Sequence, residues 1–116
     1  MADNLPRSIT TSMQFENGPA IGISNRWVNG QYCSILTPIG IVGCGIYDVV
    51  VPAEFNQALA VAQGTPERPL VDPEDLLEAS IVRCTPRAES LGITPGMSGR
   101  EAVELMLQAA GEENAG

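Results

Sequence analysis

The sequence predicts an α+β domain: an N-terminal antiparallel β-meander of hairpins, followed by C-terminal helices packed on one face. Three observations carry that class. The first half alternates short stretches rich in Val, Ile and Thr with turn residues, including Asn29-Gly30. The second half holds two helix-start signals, Asp72-Pro73 and the Ser98-x-x-Glu101 spacing. The length, 116 residues, suits one domain. That domain is expected over 1–110, β-rich over 8–51 and mainly helical over 72–110. The remainder, 111–116 ("GEENAG"), is acidic and small-residue-rich and is expected to be a disordered tail.

Ile9–Phe15 reads as the first strand, and "ENGP" as its turn. Ala20–Val28 and Gln31–Thr37 follow on either side of Asn29-Gly30, the strongest short hairpin signal, because both residue types tolerate positive φ. A two-residue loop at Asn29-Gly30 sets Val28 opposite Gln31, Trp27 opposite Tyr32 and Ile23 opposite Leu36. One face then carries Ile21, Ile23, Trp27, Tyr32 and Leu36; the other carries Val28, Cys33 and Ile35 among Ser24 and Arg26. Both faces are partly apolar, and a short chain cannot easily cover both. Pro38-Ile39-Gly40 turns the chain into a fourth strand, Ile41–Ile46. Propensity makes Pro52–Gln63 a helix, and "GTPERP" a loop. A helix opens at Pro73, a further helical stretch is expected over Val82–Leu91, and the last helix follows Ser98, with Ala102, Leu105, Met106 and Ala109 at helical spacing.

Composition narrows the function. Only 4% of the residues are aromatic, so the core must be assembled from Val, Ile, Leu, Ala and Met, and burial against further copies of the chain is favoured. A net charge of −8 repels phosphate backbones and argues against a nucleic-acid partner. No apolar run approaches the ~18 residues of a membrane span. The opening "MADNLPRSIT" has neither the basic nor the apolar region of an export signal. A cytoplasmic location with reduced thiols is therefore expected for Cys33, Cys44 and Cys84. The chain has no histidine, which removes Ser-His-Asp and Cys-His catalysis and histidine metal sites. It has no lysine, which removes Schiff-base chemistry. All six cations are arginines, suited to bidentate recognition of a small anion. No cofactor is expected.

Two stretches resemble the YunC-like family of bacterial and archaeal proteins (domain of unknown function 1805). One is "GIVGCGIYDV", which carries that family's G-x-x-x-C-G-x-x-D-V at Gly40, Cys44, Gly45, Asp48 and Val49. The other is "LGITPGMSGREA", Leu91 to Ala102. The resemblance implies a tetramer assembled through the N-terminal β region, and it assigns no activity. It also implies that Ala58–Gln63 is a strand, against the propensity reading.

Cys44 has two readings. It is a nucleophile or redox thiol assisted by Asp48 and Arg100, or a small buried thiol between Gly43 and Gly45, which permit close backbone approach. The second is preferred, because burial without a positive partner raises a thiol pKa. Ser98, Gly99 and Arg100 are either an anion site at a helix N-terminus or a capping box, and again the plainer reading is preferred. The acids Asp72, Glu74, Asp75 and Glu78 complement a helix dipole and need no metal. The leading functional expectation is a homo-oligomeric protein with a binding or regulatory role. The second is a small-molecule enzyme using Cys44.

Overall fold

Asn29 is the pivot of the N-terminal half. Its φ of 69° lies in the left-handed region that Asn tolerates and most residues avoid, and the chain reverses there. In the computed structural model, which describes residues 5–115, three strands precede and follow such reversals: β1 (Arg7–Phe15), β2 (Gly18–Trp27) and β3 (Gly30–Leu36). The two-residue loop is Val28-Asn29, since Trp27 pairs with Gly30, Ile23 with Ser34 and Ile21 with Leu36. The expected register was thus displaced by two residues along the partner strand. Because side chains alternate with period two, that displacement leaves the residues within the strands on their expected faces, whereas Val28, expected opposite Gln31, falls in the loop.

Six strands form one sheet in sequence order, completed by β4 (Gly40–Gly43), β5 (Ala58–Gln63) and β6 (Ser80–Cys84). All neighbours are antiparallel except β4 and β5, which run parallel and are joined through the short helix α1 (Val50–Glu54). Helices α2 (Pro73–Glu78), α3 (Pro86–Ser90) and α4 (Gly99–Ala115) supply the helical part. The α+β class predicted from sequence holds.

The two sheet faces differ in what covers them. On the inner face Cys33, Ile35, Val42, Ala60 and Ala62 pack with Leu76 and Leu77 of α2 and with Val103, Met106 and Leu107 of α4. Polar ties fix these helices: Arg26 of β2 pairs with Asp72 ahead of α2, and the Glu104 carboxylate of α4 accepts the Glu16 and Asn17 N–H groups of the first hairpin turn, each at 3.0 Å. The outer face is covered only at its β4–β5 side, where Val51 and Pro52 border a groove with Leu36, Ile41, Tyr47 and Leu59. It is open across β2 and at Leu36 of β3, while Ser34 is buried. Among the described residues no helix is long and apolar enough to cross a membrane.

Four expectations are corrected. Ala58–Gln63 is a strand, as the resemblance implied, and only Val50–Glu54 is helical nearby; five of its six residues are buried, an environment that overrides alanine's helical preference. The stretch Val82–Leu91 is divided: Ser80–Cys84 is an edge strand on β5, and Pro86, which has no N–H to give a ladder, starts the five-residue α3. The fourth strand ends at Gly43 rather than Ile46, because the Tyr47 N–H turns back to the Cys44 carbonyl at 3.1 Å. The tail is helical through Ala115, with Glu113 paired to Arg87 of α3 at 2.6 Å. The first four residues of the expected domain and Gly116 of the expected tail lie outside the described residues.

Candidate functional site

β4 delivers Cys44 to the carboxyl end of the parallel β4–β5 pair, next to β3. Ser34 pairs with Gly43, so the next residues in that ladder, Cys33 and Cys44, face each other, and the Cys44 N–H donates to the Cys33 carbonyl at 3.1 Å. Both thiols are in the inner-face core, Cys33 fully buried and Cys44 6% exposed. Beyond Cys44 the chain opens out: Gly45 and Ile46 are exposed, and Tyr47 folds over Gly43 to the other face of the sheet. There its ring meets Tyr32 edge-on, with centroids 6.1 Å apart. Gly43 is required for this, since any Cβ would collide with the Tyr47 ring.

The surroundings shift the two thiols in opposite directions. The facing Cys33 thiol favours the ionised form of Cys44 most, and the backbone amides of Ile46, Cys33 and Cys44 act in the same direction. Together they outweigh burial and lower the Cys44 pKa to about 5. Cys33 is pushed strongly the other way, by its bond to Cys44, by burial and by the carboxylates of Asp75 and Asp72. Of the two, Cys44 is thus the more easily ionised. Burial of Cys44 agrees with expectation, whereas the direction of its shift is opposite: the stabilising donors are amides and a second thiol, not a cationic side chain. Cys84 stands apart, donating to the Ile93 carbonyl at 3.8 Å, its pKa raised by burial.

Asp48 is placed as a turn residue beyond the Cys44 turn. It is exposed, and its carboxylate accepts the Val50 N–H at 3.1 Å, bracing the entry to α1. Arg100 lies on an exposed position of α4's first turn, in a groove shared with Gln14, Glu16, Glu101 and Glu104. The capping box expected there is formed. The Glu101 N–H donates to Ser98 Oγ at 3.2 Å, and the Ser98 N–H to Glu101 Oε1 at 3.1 Å. The Gly99 N–H is taken by the Ala79 carbonyl at 2.9 Å. With these donors engaged and three carboxylates beside one guanidinium, the geometry adds nothing to the anion reading of Ser98, Gly99 and Arg100. Among the described residues no three Cys, Asp or Glu side chains converge as a metal site requires.

Cys33 was missed as a site residue, although the signal was present. A four-residue loop over 37–40 places Leu36 opposite Ile41, and three steps down the ladder Cys33 meets Cys44.

Fold and site together define a small α+β domain with a mixed sheet, an open apolar outer face and a cross-strand dithiol beneath the inner helices. The chain belongs to the family described as Domain of unknown function (DUF1805), whose profile matches residues 43–106, from the residue before Cys44 to the middle of α4. Among solved structures it is similar to a protein of unknown function, TA1206 from Thermoplasma acidophilum. The two superpose with a TM-score of 0.77 over 87% of this chain and 94% of that one, at 17% sequence identity. At that identity the likeness speaks for the fold alone. A search of curated proteins found no match.

Proposed function

We propose that this protein is a homo-oligomer with a binding or regulatory role, assembled through the open outer face of its sheet. One observation carries the reading. Ile21, Trp27 and Leu36 lie exposed on that face, Trp27 by 46%, and from β1 to β5 its outward positions, set by the strand registers, hold no charged residue. A molecule of net charge −8 thus keeps one uncharged side with an apolar patch on β2 and β3, on which two copies can meet without opposing like charges. A second copy of the chain is the occupant this favours, and the YunC-like resemblance carries the same expectation. Trp27→Asp should lower the assembled mass measured by sedimentation velocity while far-UV circular dichroism stays unchanged. An unchanged mass would place the contact elsewhere.

The dithiol supports a second reading, nucleophilic chemistry on a small molecule at Cys44. The supporting observation is the placement of Cys44 directly opposite the Cys33 thiol, an arrangement that, with the nearby backbone amides, lowers its pKa. A thiol with a pKa of about 5 is ionised throughout the neutral range, so its alkylation by iodoacetamide should be nearly constant between pH 6.5 and 8.5 and fall only toward pH 5. An ordinary thiol, with a pKa near 8.5, gains about tenfold per pH unit below that value. Peptide mapping of Cys84→Ser protein gives the profile at Cys44, and a tenfold rise per unit would contradict the reading.

A further inference from the structure

We propose that Cys33 and Cys44 are a redox pair, in which Cys44 is oxidised by a hydroperoxide as small as hydrogen peroxide and Cys33 converts the product into a reversible intrachain disulfide. This rests on the second reading above, that Cys44 reacts as a thiolate.

Geometry makes Cys33 the partner. The two residues are directly opposed on β3 and the extension of β4, with the Cys44 N–H bonded to the Cys33 carbonyl at 3.1 Å. That is one of the two bonds of a hydrogen-bonded antiparallel pair, whose Cα atoms are about 5.5 Å apart. Disulfides span roughly 4.4–6.8 Å between Cα atoms, so the Cα separation suits the bond, and the Cβ atoms, about 5.5 Å apart in such a pair, have to close by about 1 Å. The third thiol, Cys84, is engaged with Ile93 on another strand and does not belong to the pair.

Access selects the oxidant. Cys33 has no exposed surface, and Cys44 is 6% exposed, just inside the turn where Gly45 and Ile46 reach solvent. A bulky disulfide cannot reach the sulfur in line, whereas a peroxide the size of two water molecules can. In the first step the Cys44 thiolate attacks one peroxide oxygen. An S–O bond forms, the O–O bond breaks, and hydroxide leaves, taking a proton to become water. Cys44 is then a sulfenic acid. In the second step the Cys33 sulfur attacks the Cys44 sulfur. The S–S bond forms, the S–O bond breaks, and the departing hydroxide takes the Cys33 proton as a second water. Two electrons pass from the thiols to the peroxide, and a small thiol reductant reverses the change. The low Cys44 pKa and the retained Cys33 proton fit these two roles.

The test treats the intact chain with equimolar hydrogen peroxide and reads the products by intact mass and chymotryptic mapping. Trypsin would leave both cysteines in one peptide, between Arg26 and Arg68. The expected result is loss of two hydrogens with Cys33 linked to Cys44 in most molecules, unaffected by Cys84→Ser and reversed by dithiothreitol. In Cys33→Ala the expected product is a Cys44 sulfenic acid trapped by dimedone. Sulfinic acid at Cys44 with Cys33 still reduced, or a link between two chains, would overturn the proposal. If alkylation shows Cys44 to be a thiolate yet no disulfide forms, the redox pair fails and the nucleophile reading survives. If Cys44 resists both reagents, both fail.

Discussion

Gly99→Ala should destabilise the protein by about 3 kcal/mol or more, in the range where overpacking against an unyielding neighbour falls. Gly99 is the first residue of α4, and a Cβ built on it would fall inside the van der Waals surface of the Leu76 carbonyl oxygen at the end of α2. No rotamer relieves that contact, because both partners are backbone. The helix would have to lift away from α2, and Ala102, Val103 and Met106, all fully buried on α4, would lift with it. The sign is diagnostic. At an unconstrained helical position Gly→Ala stabilises by roughly 0.5–1 kcal/mol. Gly111, in the same helix with nothing within 4 Å of its added Cβ, provides that control. A denaturant titration should show the two substitutions moving in opposite directions. Equal effects would mean that the α2–α4 contact gives way easily.

Thr85→Val should cost about 2–4 kcal/mol, although it preserves shape. The Thr85 side chain is fully buried at the joint between β5, β6 and α3. Its hydroxyl donates to the Gln57 carbonyl at 2.6 Å, and accepts the Leu59 N–H at 3.1 Å and the Ala88 N–H at 3.3 Å. Valine retains the packing but removes the α3 cap, typically worth about 1 kcal/mol. It also leaves the buried Leu59 N–H without its partner, which costs a further 1–3 kcal/mol or so. Thr85→Ser keeps the hydroxyl and should recover most of the loss. A Thr85→Val protein within 1 kcal/mol of wild type would show that the hydroxyl is not what joins strand and helix.

These two residues also mark where the sequence was readable. Ser98 and Glu101 announce a cap within four residues, and the structure forms it; Gly99 between them looks like ordinary helix-start punctuation, because the carbonyl that needs it belongs to Leu76, far away in sequence. Alternation in β2 and β3 sorted their side chains to the correct faces despite a displaced loop, since the displacement was even. β5 and β6 were not legible from local pattern. "ALAVAQ" and "SIVRC" are short and carry no hairpin turn between them, and they become strands by pairing across α2 with an irregularity at Val61/Ala62. For the site, Cys44 stood out between its glycines. Its partner and its ionisation depended on a ladder register and on amides that composition does not display. Asp48 and Arg100 were attractive as chemistry-bearing neighbours in sequence, but the Cys44–Tyr47 turn and the start of α4 direct them elsewhere.

The open side of the sheet is expected to be covered by another copy of the chain. The core is built largely of small residues, the molecule is elongated at 50 × 27 × 24 Å, and Trp27, Val28, Ile21 and Leu36 reach solvent in the single chain. The molar mass of the wild-type protein, measured by multi-angle light scattering at micromolar concentration, tests it most directly. The expected result is one species at a whole multiple of 12.2 kDa, four by the family resemblance. A monodisperse species of a single chain would contradict it.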